Sequence, residues 1–85
     1  MVFFLHYLKN GYPYHRFAVS VNKKIGNSVQ RNFIKRKMKE LFRTNQSLVE
    51  EKHDFWISTK KRFDSANVQE IENIFVDSLI KINYR

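Results

Sequence analysis

The chain has 85 residues, 42% hydrophobic and 15% aromatic, and 16 Lys and Arg against 8 Asp and Glu give a formal net charge of +8. That length suits one compact domain spanning residues 1–85, although so small a chain buries only roughly 60–65% of its unfolded surface. Cys is absent, which excludes a disulfide framework, a thiolate metal site and a cysteine nucleophile.

The opening Met1-Val2-Phe3-Phe4-Leu5 is apolar, but His6 and Lys9 interrupt it well short of the roughly 20 residues of a membrane span. No basic region precedes it and no small-residue cleavage site follows, so neither a membrane segment nor a signal peptide is expected, and a cytoplasmic protein is. Residues 2–8 are aromatic and branched and lead into Lys9-Asn10-Gly11, which predicts a strand ending in a turn. Tyr12 to His15 continues the connection. Arg16 to Val21 alternates Phe17, Val19 and Val21 against Ala18 and Ser20, a second strand expected to run antiparallel to the first.

Gly26-Asn27-Ser28 breaks the pattern, and Asn27 or Ser28 is suited to cap a helix from about Val29 to Arg43. At 100° per residue, Ile34, Met38, Leu41 and Phe42 share one arc, while Asn32, Lys35, Arg36, Lys39 and Arg43 take the opposite one and Lys37 falls outside it. Thr44 to Lys52 reads either as an extension of this helix or as a loop. Asp54 to Thr59 is a third strand with Trp56 expected in the core, closed by Lys60-Lys61-Arg62. Ile71, Ile74, Phe75, Leu79 and Ile82 recur at three- and four-residue intervals, a second amphipathic helix from about Asn67 to Asn83. The predicted class is α+β, with a small, largely antiparallel sheet, helices packed on it, and the order β-β-α-β-α.

Charge is concentrated. Lys23 to Arg43 carries eight basic side chains and one acidic one, so net +7 of the +8 lies in these residues. Solvated helix faces normally mix signs, whereas neighbouring cations with Glu40 nearly alone repel one another and cost helix stability. A polyanion relieves that cost, and a cationic element can follow a line of phosphates. Asn32 lies inside the cationic face, and its amide both donates and accepts, which suits base edges or ribose hydroxyls. Arg31 and Arg36 can fork across phosphate oxygens, Lys35 and Lys39 act as point charges, and Lys23 and Lys24 precede the helix where free amides also favour an anion. Catalysis by the chain itself is disfavoured. It has no clustered carboxylates for a two-metal site, no His-Glu pair at helical ligand spacing, and His53 and Asp54 point to opposite faces of a strand.

The string Ser20-Val21-Asn22-Lys23-Lys24-Ile25-Gly26-Asn27-Ser28-Val29-Gln30-Arg31-Asn32-Phe33-Ile34-Lys35-Arg36 closely resembles the signature of the bacterial ribonuclease P protein subunit. That pattern reads roughly SVSKKxGNAVxRNxxKR, with Asn22 for Ser and Ser28 for Ala as mild departures. More weakly, the resemblance extends over essentially the whole chain. It implies an accessory subunit of a ribonucleoprotein endoribonuclease, with the catalytic RNA subunit and precursor tRNA as partners, Mg2+ at the RNA active site, and a single protein copy in the particle. It also implies that Lys23, Lys24, Asn27, Arg31, Asn32, Lys35, Arg36, Lys39 and Arg43 meet the catalytic RNA. A cleft for the single-stranded leader would then use Phe4, His6 and Phe17 for stacking, with Lys60 and Lys61 at its edge. No catalytic or metal-binding residue is expected in the protein. The family's left-handed strand-helix-strand crossover is expected by resemblance alone. Family members begin with a basic N-terminal helix, whereas this sequence starts inside the first long strand. The alternative is a stand-alone RNA- or DNA-binding module, ribosome-associated or not.

Overall fold

In a computed structural model, residues 2–84 are described, and Met1 of the apolar opening and Arg85 lie outside them. Strands β1 (Phe3–Lys9) and β2 (Arg16–Val21) are followed by a 3-10 turn at Lys23–Ile25 and helix α1 (Ser28–Asn45). A second turn at Gln46–Leu48 leads to β3 (His53–Thr59), and a third at Ser65–Asn67 leads to α2 (Val68–Ile82). Thr44 and Asn45 thus extend α1, while the rest of the segment up to Lys52 is turn and loop.

The sheet order is β1-β3-β2, with β1 antiparallel and β2 parallel to β3. The first two strands do run in opposite directions, but β3 lies between them. Its core-facing side explains the central place, since His53, Phe55, Ile57 and Thr59 are all buried and the middle strand is the one shielded at both edges. The six residues 10–15 need to cross only about 10 Å to carry the chain over its end. Because β2 and β3 are parallel neighbours, α1 is the crossover between them.

Register assigns every strand residue to a face. Phe3 pairs with Thr59, Leu5 with Ile57, Tyr7 with Phe55 and Phe17 with Phe55, so odd-numbered residues of all three strands share the side on which the helices pack. Edge contact of Phe3 with Phe75 and parallel stacking of Phe17 on Phe42 (centroids 4.2 Å, 6°) join the sheet to α2 and α1 respectively. Ile34, Met38, Phe75 and Leu79 are sealed from solvent between the layers. On α2, Ile71, Phe75, Leu79 and Ile82 form the buried stripe, and Ile74 falls outside it.

Two sequence expectations fail on this parity. Trp56 is 49% exposed, since its alternate neighbours Phe55 and Ile57 occupy the core side. Phe17 faces Phe42 beneath the sheet and does not join Phe4 and His6, which lie on the opposite side. Among the described residues, no helix is long and apolar enough to cross a membrane.

At one end of the sheet, the His53 backbone N–H donates to Nδ1 of His15 (3.1 Å), and His53 Nδ1 lies 2.7 Å from the Glu51 carbonyl. His15 is wedged against Phe42 and Phe55. With Nδ1 accepting, the ring is neutral, its proton on a buried Nε2 that lacks a partner of good geometry. Burial first, then the Lys52 charge, pushes its pKa below 6.5, against the pull of the Val49 and Gln46 carbonyls. The unfolded chain binds this proton more readily, so the contribution is present above pH 6.5 and lost as pH falls through the lowered folded value. Chemical denaturation between pH 7.5 and 5 is therefore expected to show falling stability in the wild type, and a flatter profile in His15→Gln.

Candidate nucleic-acid interface

Helix α1 begins with a reciprocal cap. Asn27 Oδ1 accepts from the Gln30 N–H (2.9 Å), and Gln30 Oε1 accepts from the Asn27 N–H (3.0 Å). Gly26 makes room for this, because a Cβ there would fall on the Gln30 side-chain oxygen. At the other end, Thr44 Oγ1 and Asn45 Nδ2 donate to the carbonyls of Glu40 and Leu41. With Ile34, Met38, Leu41 and Phe42 facing the sheet, the opposite face can only be polar.

That face gathers Asn32, Lys35, Arg36 and Lys39 around one shallow surface depression. Arg43 is exposed in the last turn. Among the described residues, none of Lys35, Arg36, Lys39 and Arg43 has an ion-pair partner; Glu40 instead approaches Lys37 (3.8 Å), whose Nζ lies 5.9 Å from the Phe33 ring. Lys23 and Lys24 stand exposed in the preceding turn, where Asn22 Oδ1 accepts from the Lys24 N–H (2.9 Å).

Arg31 is not an exposed member of this set. It is half-buried, and its Nη1 donates to the carbonyls of Gly26 (2.7 Å) and Lys23 (3.3 Å), which pins the turn to the first turns of α1. Asn27 likewise spends its side-chain oxygen on the cap. The cap on Asn27 agrees with its sequence reading, whereas the half-buried setting of Arg31 differs from the exposed one expected, because nothing in the spacing places the turn over the helix.

The sheet's outer face is the second feature, with no element over it among the described residues. Phe4 is 47% exposed, His6 stacks on Trp56 (4.8 Å, 29°), and Lys60 Nζ lies 5.7 Å from the Phe4 ring. The amides of Lys60 and Lys61 both donate to the Val2 carbonyl, which anchors them at the start of β1. Leu8, exposed beside Asp54, and the small side chains of Ala18, Ser20 and Ser58 complete this face. At its other end the Arg16 guanidinium clasps Asp54 through two bonds of 2.6 Å, and Asn10 Nδ2 donates to the same carboxylate (3.0 Å). The Arg16 bonds, then the Asn10 bond, hold the Asp54 pKa down at about 2. The face is therefore cationic at the Lys60 end and internally neutralised at the Arg16 end. The expected shared face of Phe4 and His6 is observed, and Trp56 joins it, as strict alternation with Phe55 and Ile57 demands.

Arg31→Ala should lower unfolding stability by roughly 1.5–3 kcal/mol by removing a charged donor from two carbonyls. Asn32→Ala, on the exposed face, should stay within about 0.5 kcal/mol of wild type. Gly26→Ala should cost about 0.5–2 kcal/mol by expelling Gln30 from the cap. Urea denaturation followed by circular dichroism measures all three.

The family model for ribonuclease P matches residues 1–83. The ribonuclease P protein component of Petrotoga mobilis is 40% identical over 75 residues, covering 84% of this chain and 64% of that protein. That of Alkaliphilus oremlandii is 33% identical over 79 residues, covering 93% of this chain and 69% of that protein. Thus the chain spans about two thirds of these relatives' length. Among solved structures, the ribonuclease P protein from Thermotoga maritima superposes with a TM-score of 0.79 at 26% identity, covering 93% of this chain and 76% of that one. A Staphylococcus aureus ribonuclease P protein mutant, described as defective in mRNA degradation activity, gives 0.73 at 28% identity, covering 94% and 67%. By sequence and by fold, the chain belongs to the ribonuclease P protein family.

Proposed function

We propose that this chain is the protein subunit of a ribonuclease P, docking on a catalytic RNA and assisting removal of the 5′ leader from precursor tRNA. The observation that carries this reading is the face of Asn32, Lys35, Arg36, Lys39 and Arg43, whose cations no carboxylate of the described residues neutralises. Lys23 and Lys24 extend it beyond the helix N-terminus. Arg31 and Asn27 serve it by holding the turn and the first turn of α1 in place.

Phe4, His6 and Trp56 supply ring faces for unpaired bases of the leader, and Lys60 and Lys61 supply attraction for its phosphates at one end. Phe17 belongs to the core and takes no part. Magnesium belongs with the RNA in this reading. Two of the carboxylates are engaged within the protein: Asp54 is held by Arg16 and Asn10, and Asp64 caps the Ser65–Asn67 turn through the Ala66 N–H. A single copy acts within a cytoplasmic ribonucleoprotein, with no membrane contact.

At low magnesium, adding the protein to a cognate catalytic RNA should rescue precursor tRNA cleavage. No effect on cleavage, together with equally tight binding to unrelated RNAs, would favour a stand-alone binding module. Cleavage by the protein alone would contradict the assignment of chemistry to RNA. With about five phosphate contacts, log affinity for the catalytic RNA should fall against log salt with a slope of roughly −3.5 to −4.5. A slope near zero would remove the electrostatic basis.

A further inference from the structure

The connection between β1 and β2 is more ordered than its span demands. Asn10 Oδ1 accepts from the Tyr12 N–H (2.8 Å), and Asn10 Nδ2 donates to the Tyr14 carbonyl (3.2 Å) as well as to Asp54. Gly11 takes φ 71°, the left-handed region, to close the turn. The product is a pair of exposed rings. Tyr12 and Tyr14 stack nearly parallel (5.7 Å, 12°) with 45% and 55% of their surfaces open to solvent.

Tyr12 has a local use, since its ring lies 4.5 Å from the Arg16 guanidinium that clasps Asp54. Tyr14 has none of that kind. Among the described residues its ring stacks on Tyr12 alone and its hydroxyl has no hydrogen bond, the remaining side-chain interaction being electrostatic, with Arg16. Leaving two aromatic rings half exposed on a hydrogen-bonded loop forgoes part of the burial that is worth about 1.5–3 kcal/mol for a whole large side chain, so the arrangement favours a ligand over the fold.

The place of the pair narrows that ligand. Arg16 sits on the outer sheet face opposite Asp54, two residues along β3 from Trp56 and thus about 7 Å from it. The tyrosines therefore continue the line that runs from Lys60 through Phe4 and the His6–Trp56 stack. Arg16 is neutralised by Asp54, which leaves Lys52 as the exposed cation without an ion pair among the described residues at this end of the sheet, while the two tyrosines offer a base their ring faces.

We propose that Tyr12 and Tyr14 form a further stacking site for an unpaired nucleobase of RNA, beyond the Phe4–His6–Trp56 surface. The inference rests on the reading of that surface as the seat of a single strand.

The test uses the full chain and single-stranded oligoadenylates, a trinucleotide and an octanucleotide. Trp56, the sole Trp, reports binding on the sheet face by its fluorescence. Going from trinucleotide to octanucleotide should tighten wild-type binding, and Tyr14→Leu should lose about 5- to 150-fold of octanucleotide affinity, the worth of one stacked base. Tyr14→Phe should keep the gain, and neither variant should change the melting temperature. If Tyr14→Leu matches wild type with both oligonucleotides while Phe4→Leu weakens both, the tyrosine site is overturned and the sheet-face reading stands. If neither variant weakens either, both fall. Equal loss in Tyr14→Phe and Tyr14→Leu would make the hydroxyl the contact and overturn stacking.

Discussion

Burial of Ile34, Met38, Leu41 and Phe42 against the sheet sets the rotation of α1, and the charge distribution of the molecule follows from it. Each such side chain contributes about 1.5–3 kcal/mol when taken from water, against a few tenths of a kcal/mol for each unfavourable pair of like charges at helical spacing. Packing wins by a wide margin. The cations on the other arc must then crowd together in solvent, and the fold tolerates a surface that is electrostatically unsatisfied until an anion arrives.

The same stacking of Phe42 on Phe17 commits the odd-numbered strand residues to the core and frees the even-numbered ones. Two surfaces of different chemistry result. The helix surface is rich in charge and suits a folded RNA with closely spaced phosphates, whereas the sheet surface is rich in rings and suits bases that are not paired. The Arg16–Asp54 clasp sharpens the division, because it withdraws a cation from the ring-lined face. Held near a pKa of 2, the Asp54 carboxylate stays ionised and the clasp closed at neutral pH.

Much of this was legible from residue spacing. Helical periodicity placed the basic arc, Lys37 outside it, and the C-terminal helix to within a residue or so at each end, since amphipathic stripes are local. The capping Asn27 and the Gly26 before it were also readable. What failed depends on contacts between distant segments. Phe17 alternates correctly within its own strand, but which face it shares with Phe4 depends on the register of each against β3, and no local pattern fixes that. Trp56 lies outside the core because the alternation of its neighbours Phe55 and Ile57 outweighs its apolar bulk. Arg31 looks like any other cation until the Lys23–Ile25 turn folds back over the helix and offers two carbonyls. The ordered tyrosines in the β1–β2 connection escaped notice because Asp54, 40 residues or more away, completes the network that holds them.

The division of labour between the two surfaces is tested most directly by site-specific photo-crosslinking in the assembled particle with precursor tRNA bound. A crosslinker replacing Lys35 should capture the catalytic RNA, and one replacing Phe4 should capture the 5′ leader. Capture of the leader from the helix position, or of catalytic RNA alone from the sheet position, would contradict the account.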